Sequence, residues 1–142
     1  MSRFSKRIRG QSESKEKKIL KVRIKGEVVN GVLEACRNVH PHEFLGLLRA
    51  EEGVITEIIL APASIYSRGI SLFRPQMLPF DFSIVGSIHS HPSGYGRPSA
   101  QDLNSMFNFG LVHIIVTFPY SSHQDLHTYD KRGNPIQCEV VE

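Results

Sequence analysis

Residues 86–102, GSIHSHPSGYGRPSAQD, combine the end of a strand, a tight turn and the start of a helix. Side chains two positions apart point to the same face of a strand, so His89 and His91 project together. A proline follows His91, removes a backbone donor and ends the strand. A helix is predicted over residues 100–109, which puts Asp102 in its first turn. The segment therefore directs two imidazoles and one carboxylate toward the point where the strand ends and the helix begins.

Two interpretations of the acidic residue are open, and they are compatible. His89, His91 and Asp102 offer three nitrogen or oxygen ligands with room for a fourth, which is the arrangement of a catalytic rather than a structural zinc site. The spacing Ser99-x-x-Asp102 is also close to a capping box at the start of a helix. Ser99 can cap the helix while Asp102 turns a carboxylate oxygen toward a metal ion.

The spacing of His89, His91, Ser99 and Asp102 resembles the JAMM signature of the Mov34/MPN metalloprotease family. The resemblance extends over residues 19–142 and is greatest to small archaeal single-domain members. It implies a mixed α/β (α+β) fold, in which helices flank a curved mixed β-sheet. This architecture is cytidine-deaminase-like. It also implies one zinc ion, bound by the two histidines, the aspartate and a water molecule.

Glu43 begins a short apolar run, residues 43–50, that is predicted to form a strand. Alternation places Glu43 on the face of Leu45 and Leu47, where a buried carboxylate is costly unless it has a partner or a task. An exposed glutamate at the end of a strand is the simpler alternative. The family resemblance assigns Glu43 as the general base that accepts a proton from the water, although only the fold can bring it to His89.

The resemblance also assigns a catalytic role to Ser99, whose hydroxyl would donate a hydrogen bond to the tetrahedral oxyanion. Ser99 as a nucleophile is the competing interpretation. A serine nucleophile needs an adjacent base, and His89 and His91 are already committed to the metal. Together these assignments predict a zinc-dependent isopeptidase or peptidase.

The positive charge of the chain is concentrated near its N-terminus. Residues 1–25 contain ten of the 17 lysines and arginines but two of the 14 acidic residues. Residues 1–18 are therefore predicted to be a disordered basic tail, and residues 19–142 the metalloprotease domain. Such a tail could touch nucleic acid weakly. The rest of the chain has no basic groove lined with aromatic residues, so nucleic-acid binding is not expected.

The composition also indicates the cellular compartment of the protein. No apolar run is long enough for a transmembrane helix, and residues 1–18 lack the apolar core of a signal peptide. Cys36 and Cys138 form no Cys-x-x-Cys motif and are predicted to be reduced, buried thiols. These features predict a cytoplasmic protein with no membrane partner.

The remaining elements follow from hydrophobic periodicity and turn residues. A helical stripe runs from Glu27 to Val39. His113 falls inside an apolar strand, where a histidine satisfied by core hydrogen bonds is favoured over a metal ligand. A turn over residues 130–134 predicts a hairpin between strands at 126–130 and 136–141. Further strands are predicted at residues 19–25, 54–61, 68–73 and 111–118, with a loop at residues 75–80.

The resemblance implies cleavage of the bond that follows the C-terminal tail of a ubiquitin-like protein. Residues 62–80 and the stretch after Asp102 are too short for the long insertions with which eukaryotic members grip ubiquitin. The expected substrate is therefore an archaeal-type protein modifier or a sulfur-carrier protein of the same β-grasp fold. The alternative is a catalytically silent domain that only binds ubiquitin-like or other partner proteins. None of the five site positions is missing, which argues against that alternative.

Overall fold

The computed structural model describes residues 21–60, 83–104, 107 and 110–142. The predicted tail at residues 1–18, the predicted strand at 68–73 and the predicted loop at 75–80 lie outside the described residues. None of the helices within the described ranges is long and apolar enough to span a membrane.

One sheet and short helices make up the described part of the chain. Helix α1 spans Gly26–Val39, helix α2 spans Ala100–Asn104, and a 3-10 helix spans His123–Asp125. The strands are β1 (Lys21–Lys25), β2 (Leu45–Glu51), β3 (Val54–Leu60), β4 (Ile84–His91), β5 (Val112–Thr117), β6 (Leu126–Asp130) and β7 (Gln137–Val141).

The sheet is mixed, and its strand order is β6-β5-β4-β2-β3-β1-β7. Strand β4 is an interior strand, parallel to β5 and antiparallel to β2. The two outermost strands, β6 and β7, approach each other at one end. Ile136, just before β7, donates its backbone N–H to the carbonyl oxygen of Thr128 in β6 at 2.9 Å. The sheet is therefore strongly curved, and the expected curved mixed sheet is confirmed.

Helix α1 packs an apolar stripe against one face of this sheet. The helix ends at Val39. The backbone N–H of His40 still donates to the carbonyl oxygen of Cys36 at 3.0 Å, and a proline follows His40. The predicted helix at residues 27–39 is thus confirmed, one residue longer at its start. Its buried side chains, which recur at helical spacing, are Val28, Val29, Val32, Leu33 and Cys36.

Alternation along β4 sends its side chains into two separate cores. Ile88 joins the core under α1, together with Phe44. His89 is fully buried on the opposite face, where its partners in the neighbouring strands are Leu45 and Ile115. The second core on that face contains Leu45, Leu47, Phe107, Ile115 and Tyr129.

A close approach between β4 and β5 explains a glycine in the signature strand. A Cβ atom on Gly86 would lie 1.6 Å from the carbonyl oxygen of Val112, so no side chain fits unless a strand moves. Strand β5 is buried at every position, as predicted for a strand that is covered on both faces.

The strand predicted at residues 43–50 begins two residues late. Strand β2 starts at Leu45, because the backbone N–H of Phe44 donates to the side-chain oxygen of Ser90 at 2.7 Å. The helix predicted over residues 100–109 is described as far as Asn104.

The predicted hairpin is right in its turn and wrong in its pairing. The carboxylate of Asp130 accepts hydrogen bonds from the backbone N–H groups of Arg132 and Asn134, both at 2.9 Å. Beyond a single bridge between Tyr129 and Pro135, however, β7 does not pair with β6. It runs parallel to β1 instead, since the curvature of the sheet brings the chain back to that strand.

Candidate metal centre

The structure brings His89, His91 and Asp102 together, with their candidate ligand atoms all within 4.8 Å of one another. The Nε2 atoms of the two histidines are 3.1 Å apart. Asp102 places Oδ1 at 3.2 Å from Nε2 of His89 and Oδ2 at 3.1 Å from Nε2 of His91. Tetrahedral ligands at about 2.0–2.1 Å from a zinc ion lie about 3.3 Å from one another. The three side chains therefore fit a zinc ion with only small adjustments.

Both imidazoles turn Nε2 to the cluster, and in His91 a hydrogen bond at Nδ1 fixes this orientation. The Nδ1 atom of His91 donates to the backbone carbonyl of Tyr95 at 2.6 Å, so Nε2 carries the lone pair. The Nδ1 atom of His89 is buried and has no hydrogen-bond partner among the described residues. The polar contacts of His89 are therefore directed to the cluster through Nε2. The Tyr95 carbonyl was missed by the sequence analysis, because a backbone acceptor leaves no signature in residue types.

Ser99 and Asp102 also form the expected capping box. The backbone N–H of Asp102 donates to Oγ of Ser99 at 3.0 Å, and the backbone N–H of Ser99 donates to Oδ2 of Asp102 at 2.9 Å. The two interpretations of this spacing thus hold together. The capping bonds fix the carboxylate at the start of α2, so that it points toward the histidine pair.

The charges of the cluster favour a bound cation. Burial alone would raise the pKa of Asp102, but its contacts with the imidazoles of His89 and His91 hold that pKa well below its usual range. Burial alone would lower the pKa of His91, but the hydrogen bonds to Asp102 and to the Tyr95 carbonyl raise it, as do the charges of Asp102 and Glu43. The carboxylate thus stays ionised, and the surroundings stabilise positive charge at the position where the ligand atoms meet.

Glu43 is placed beside this cluster by strand register. The ladder between β2 and β4 pairs Leu45 with His89, and the backbone N–H of Ser90 donates to the carbonyl oxygen of Phe44 at 3.0 Å. Glu43 directly precedes Phe44, and its charge reaches His91, where it raises the pKa. The predicted burial of Glu43 is wrong, because this residue is exposed and precedes the first residue of β2. The exposed-glutamate alternative is the correct description of its environment.

The cluster has a buried floor and an accessible rim. His89 and Asp102 are 0% and 4% exposed, whereas Glu43 and Ser99 are exposed. A substrate too large to be enclosed can therefore reach both proposed catalytic side chains without entering the interior.

His113 is not part of the cluster, as expected. Its Nδ1 atom contacts the Ser87 hydroxyl at 2.7 Å, and its Nε2 donates to the carbonyl of Gly110 at 3.3 Å. The ring stacks on Phe107 with centroids 4.4 Å apart. Burial lowers the pKa of His113 to about 4, so the side chain is neutral at pH 7.

This buried histidine predicts acid sensitivity. Its pKa is about 4 in the folded state and about 6.5 in the unfolded state. Between these values the unfolded chain binds a proton that the folded chain does not. Stability should therefore fall by about 3 kcal/mol as the pH drops from about 6.5 to about 4. Urea titrations of the zinc-free protein across this range measure the loss. It should be mostly absent in His113→Gln and unchanged in the exposed control His123→Gln. An identical pH dependence in wild type and His113→Gln would contradict the assignment.

Comparison with known proteins adds independent evidence. A family profile for prokaryotic homologs of the JAB domain matches residues 27–130. A curated protein of Haloferax volcanii, named as a probable metalloprotease, is 36% identical over 131 residues, covering 85% of this chain and 80% of the relative.

Two solved structures share the fold at similar identity. A JAB1/MPN domain protein from Archaeoglobus fulgidus superimposes with a TM-score of 0.68 at 34% sequence identity. The match covers 85% of this chain and 100% of the Archaeoglobus chain. A structure described as JAMM, a metalloprotease-like zinc site in the proteasome and signalosome, gives a TM-score of 0.67 at 32% identity, over 85% of this chain and 98% of that one.

The fold and the cluster together define a metalloprotease-like enzyme of the JAMM/MPN class with a site for zinc. The chain belongs to the family of prokaryotic homologs of the JAB domain.

Proposed function

We propose that this protein hydrolyses the peptide or isopeptide bond that follows the C-terminal tail of a ubiquitin-like protein. One observation carries the proposal: Glu43 lies close enough to His91 for its charge to raise the pKa of His91, and His91 is one of three side chains that fit a zinc ion. A bound metal without a nearby proton acceptor would suit a structural role. A bound metal beside an exposed carboxylate suits hydrolysis.

Each side chain then has one task. His89, His91 and Asp102 would hold a zinc ion, which would supply a Lewis acid and lower the pKa of a water molecule bound to it. Glu43 accepts a proton on its carboxylate as the water attacks the substrate carbonyl. The same carboxylate later delivers that proton to the leaving amine.

Ser99 is assigned to the oxyanion. Its Oγ accepts the N–H of Asp102 at 3.0 Å, which leaves the hydroxyl hydrogen available for a different acceptor. A hydrogen bond to the developing oxyanion uses that hydrogen. The nucleophile alternative is disfavoured, because His89 and His91 both turn their Nε2 atoms to Asp102 rather than to Ser99.

The surroundings of His91 support a flexible polypeptide tail as the substrate. The carbonyl of Tyr95 accepts from His91 at 2.6 Å, and the backbone N–H of Phe118 donates to the carbonyl of His91 at 3.3 Å. The Tyr95 side chain is nevertheless 61% exposed and offers an extended chain an apolar contact at the residue that bonds His91. The Phe118 ring is 49% exposed and stacks on His40 instead.

The proposed substrate is an archaeal-type modifier or a sulfur-carrier protein. Residues 62–80 leave little length for a ubiquitin-gripping insertion, and named relatives come from archaea. Cys36 and Cys138 are both free, which suits a reducing cytoplasm as the place of action.

The test is to incubate the zinc-loaded protein with isopeptide-linked conjugates and linear fusions of such modifiers, and to identify the products by mass spectrometry. Cleavage after the tail that stops with a chelator and returns with zinc is expected. A protein that carries zinc and binds the modifier without cleaving any conjugate would instead be a binding module.

Replacing Ser99 with alanine separates its two roles. The variant should keep its zinc and lose roughly 10²–10³ in turnover through the missing oxyanion contact. It should also lose about 1 kcal/mol of stability through the missing cap. Zinc content, turnover and urea denaturation measure the three quantities. Ser122→Ala is the matched control, because Ser122 caps the 3-10 helix through Gln124 N–H at 3.3 Å and neither belongs to the cluster nor bonds to Asp102. Equal turnover in the two variants would remove Ser99 from catalysis.

A further inference from the structure

Ser90 lies between the two histidines of the cluster but faces the other side of the sheet. It is fully buried, and its hydroxyl accepts the backbone N–H of Phe44 at 2.7 Å. The neighbouring His89 and His91 turn to the face that carries Asp102. The mechanism proposed above uses these histidines and leaves Ser90 without a task.

The hydroxyl of Ser90 replaces a main-chain acceptor in the ladder. At every second pair of an antiparallel ladder, the two opposed residues exchange two N–H···O=C bonds. Ser90 and Phe44 make one of these, from the N–H of Ser90 to the carbonyl of Phe44 at 3.0 Å. The return bond from Phe44 goes to the Ser90 side chain instead. The position of the chain at Phe44 therefore depends on the Ser90 hydroxyl.

This position matters because Phe44 directly follows Glu43. A hydrogen bond to the N–H of Phe44 fixes the peptide plane that joins the two residues. The Phe44 side chain is 3% exposed, whereas the Glu43 side chain is exposed. The Glu43 side chain is exposed and is not held by the core. The position of the Glu43 backbone therefore determines where its side chain begins and which atoms its carboxylate can reach.

Two buried side chains, those of Cys36 and Tyr120, lie near the Ser90 hydroxyl. The Tyr120 hydroxyl also contacts Nδ1 of His40 at 3.0 Å. Because the oxygen of Ser90 accepts the N–H of Phe44, its own hydrogen is available to one of these two neighbours. The strand that carries two metal ligands is thereby tied to the residue next to the proposed base.

We propose that Ser90 is a positioning residue that holds Glu43 in register with His89 and His91. The inference rests on the proposed function, because it gives Glu43 the role of base. A carboxylate shifted by about 1 Å can lose a large part of its contribution, of the order of 10²-fold.

Ser90→Ala, Ser90→Thr and the control Ser87→Ala test the proposal. Ser87 lies on the same strand and also makes a buried hydroxyl contact, with His113 at 2.7 Å. Ser90→Ala should keep its zinc and its KM and lose about 10–100-fold in kcat. Ser90→Thr, which retains a hydroxyl, should recover most of this loss. Equal kcat values for Ser90→Ala and Ser87→Ala would overturn the proposal.

A double-mutant cycle distinguishes positioning from general destabilisation. If Ser90 acts through Glu43, Ser90→Ala should cost no further turnover in a Glu43→Gln background. A full additional loss in that background would contradict the proposal. If Ser90→Ala does not fold, Ser90→Cys, which replaces the hydroxyl with a much weaker acceptor, should lower kcat by about threefold or more. An unchanged kcat in Ser90→Cys would then overturn the proposal.

Hydrogen exchange of the zinc-free protein tests the contact without any activity. The Phe44 amide should exchange about fivefold or more faster in Ser90→Ala than in wild type, and it should be unaffected in Ser87→Ala. If wild type cleaves no conjugate, the proposed function fails whatever the exchange data show. If wild type cleaves but the Phe44 amide exchanges equally in both variants, the positioning role alone fails.

Discussion

Glu43→Gln should lower turnover by about 10²–10⁴-fold while the protein keeps its zinc. The amide has nearly the shape of the carboxylate but cannot accept the proton from the attacking water. Glu43 does not belong to the three-residue ligand cluster, so its replacement removes no metal ligand. Paired measurements of zinc content and of conjugate hydrolysis give both quantities on the same sample.

Two controls make this result specific. Glu34→Gln changes an exposed glutamate on α1 and should alter neither zinc content nor turnover. Loss of zinc from Glu43→Gln would make Glu43 a ligand and overturn the mechanism. Retention of both zinc and full turnover would mean that another group is the base, and His42, the neighbour of Glu43, would be the next to replace.

The metal cluster could be predicted because its information is local. His89 and His91 share a face through the two-residue period of a strand, and Asp102 follows Ser99 at the spacing of a capping box. These relations need no knowledge of the rest of the fold. The observed separations of 3.1 and 3.2 Å between the histidine and aspartate atoms follow from them once the turn closes.

The environment of Glu43 could not be predicted in the same way. Alternation from Leu45 backward assumes that the strand continues, and it ends instead where Phe44 bonds to the Ser90 side chain. Ser90 comes from a distant part of the chain, so no local pattern around Glu43 reports it. The sequence identified the residue through the family resemblance, whereas its exposure depends on a contact between two strands.

The hairpin shows the same limit at the scale of the sheet. Asp130 and Asn134 specify the turn through their own side chains and backbone, and that turn is confirmed. The partner of β7 is set by the curvature of the whole sheet, which places β1 beside it in parallel. Parallel pairs join distant segments, and nothing in residues 137–141 alone distinguishes β1 from β6 as the partner.

Asp102→Asn should weaken zinc binding by roughly 10³-fold or more, the largest effect expected from a single substitution in this protein. A site of this kind derives its affinity from a few ligands, and each contributes several kcal/mol. The asparagine side chain retains an oxygen that can accept the N–H of Ser99, which Asp102 accepts at 2.9 Å. The capping box therefore survives while the ligand charge is lost, so a loss of zinc cannot be attributed to unfolding of α2.

Two measurements identify the loss as one of metal affinity. Elemental analysis should find about one zinc per wild-type chain and almost none in Asp102→Asn or His91→Ala. A chelator should lower the thermal midpoint of wild type, since a ligand that binds only the folded state stabilises it, and should leave that of Asp102→Asn unchanged. His113→Gln is the matched control, because His113 is an equally buried histidine that bonds to Ser87 and Gly110 instead. Zinc should remain in His113→Gln, and full occupancy in Asp102→Asn would show that the metal is held by other residues.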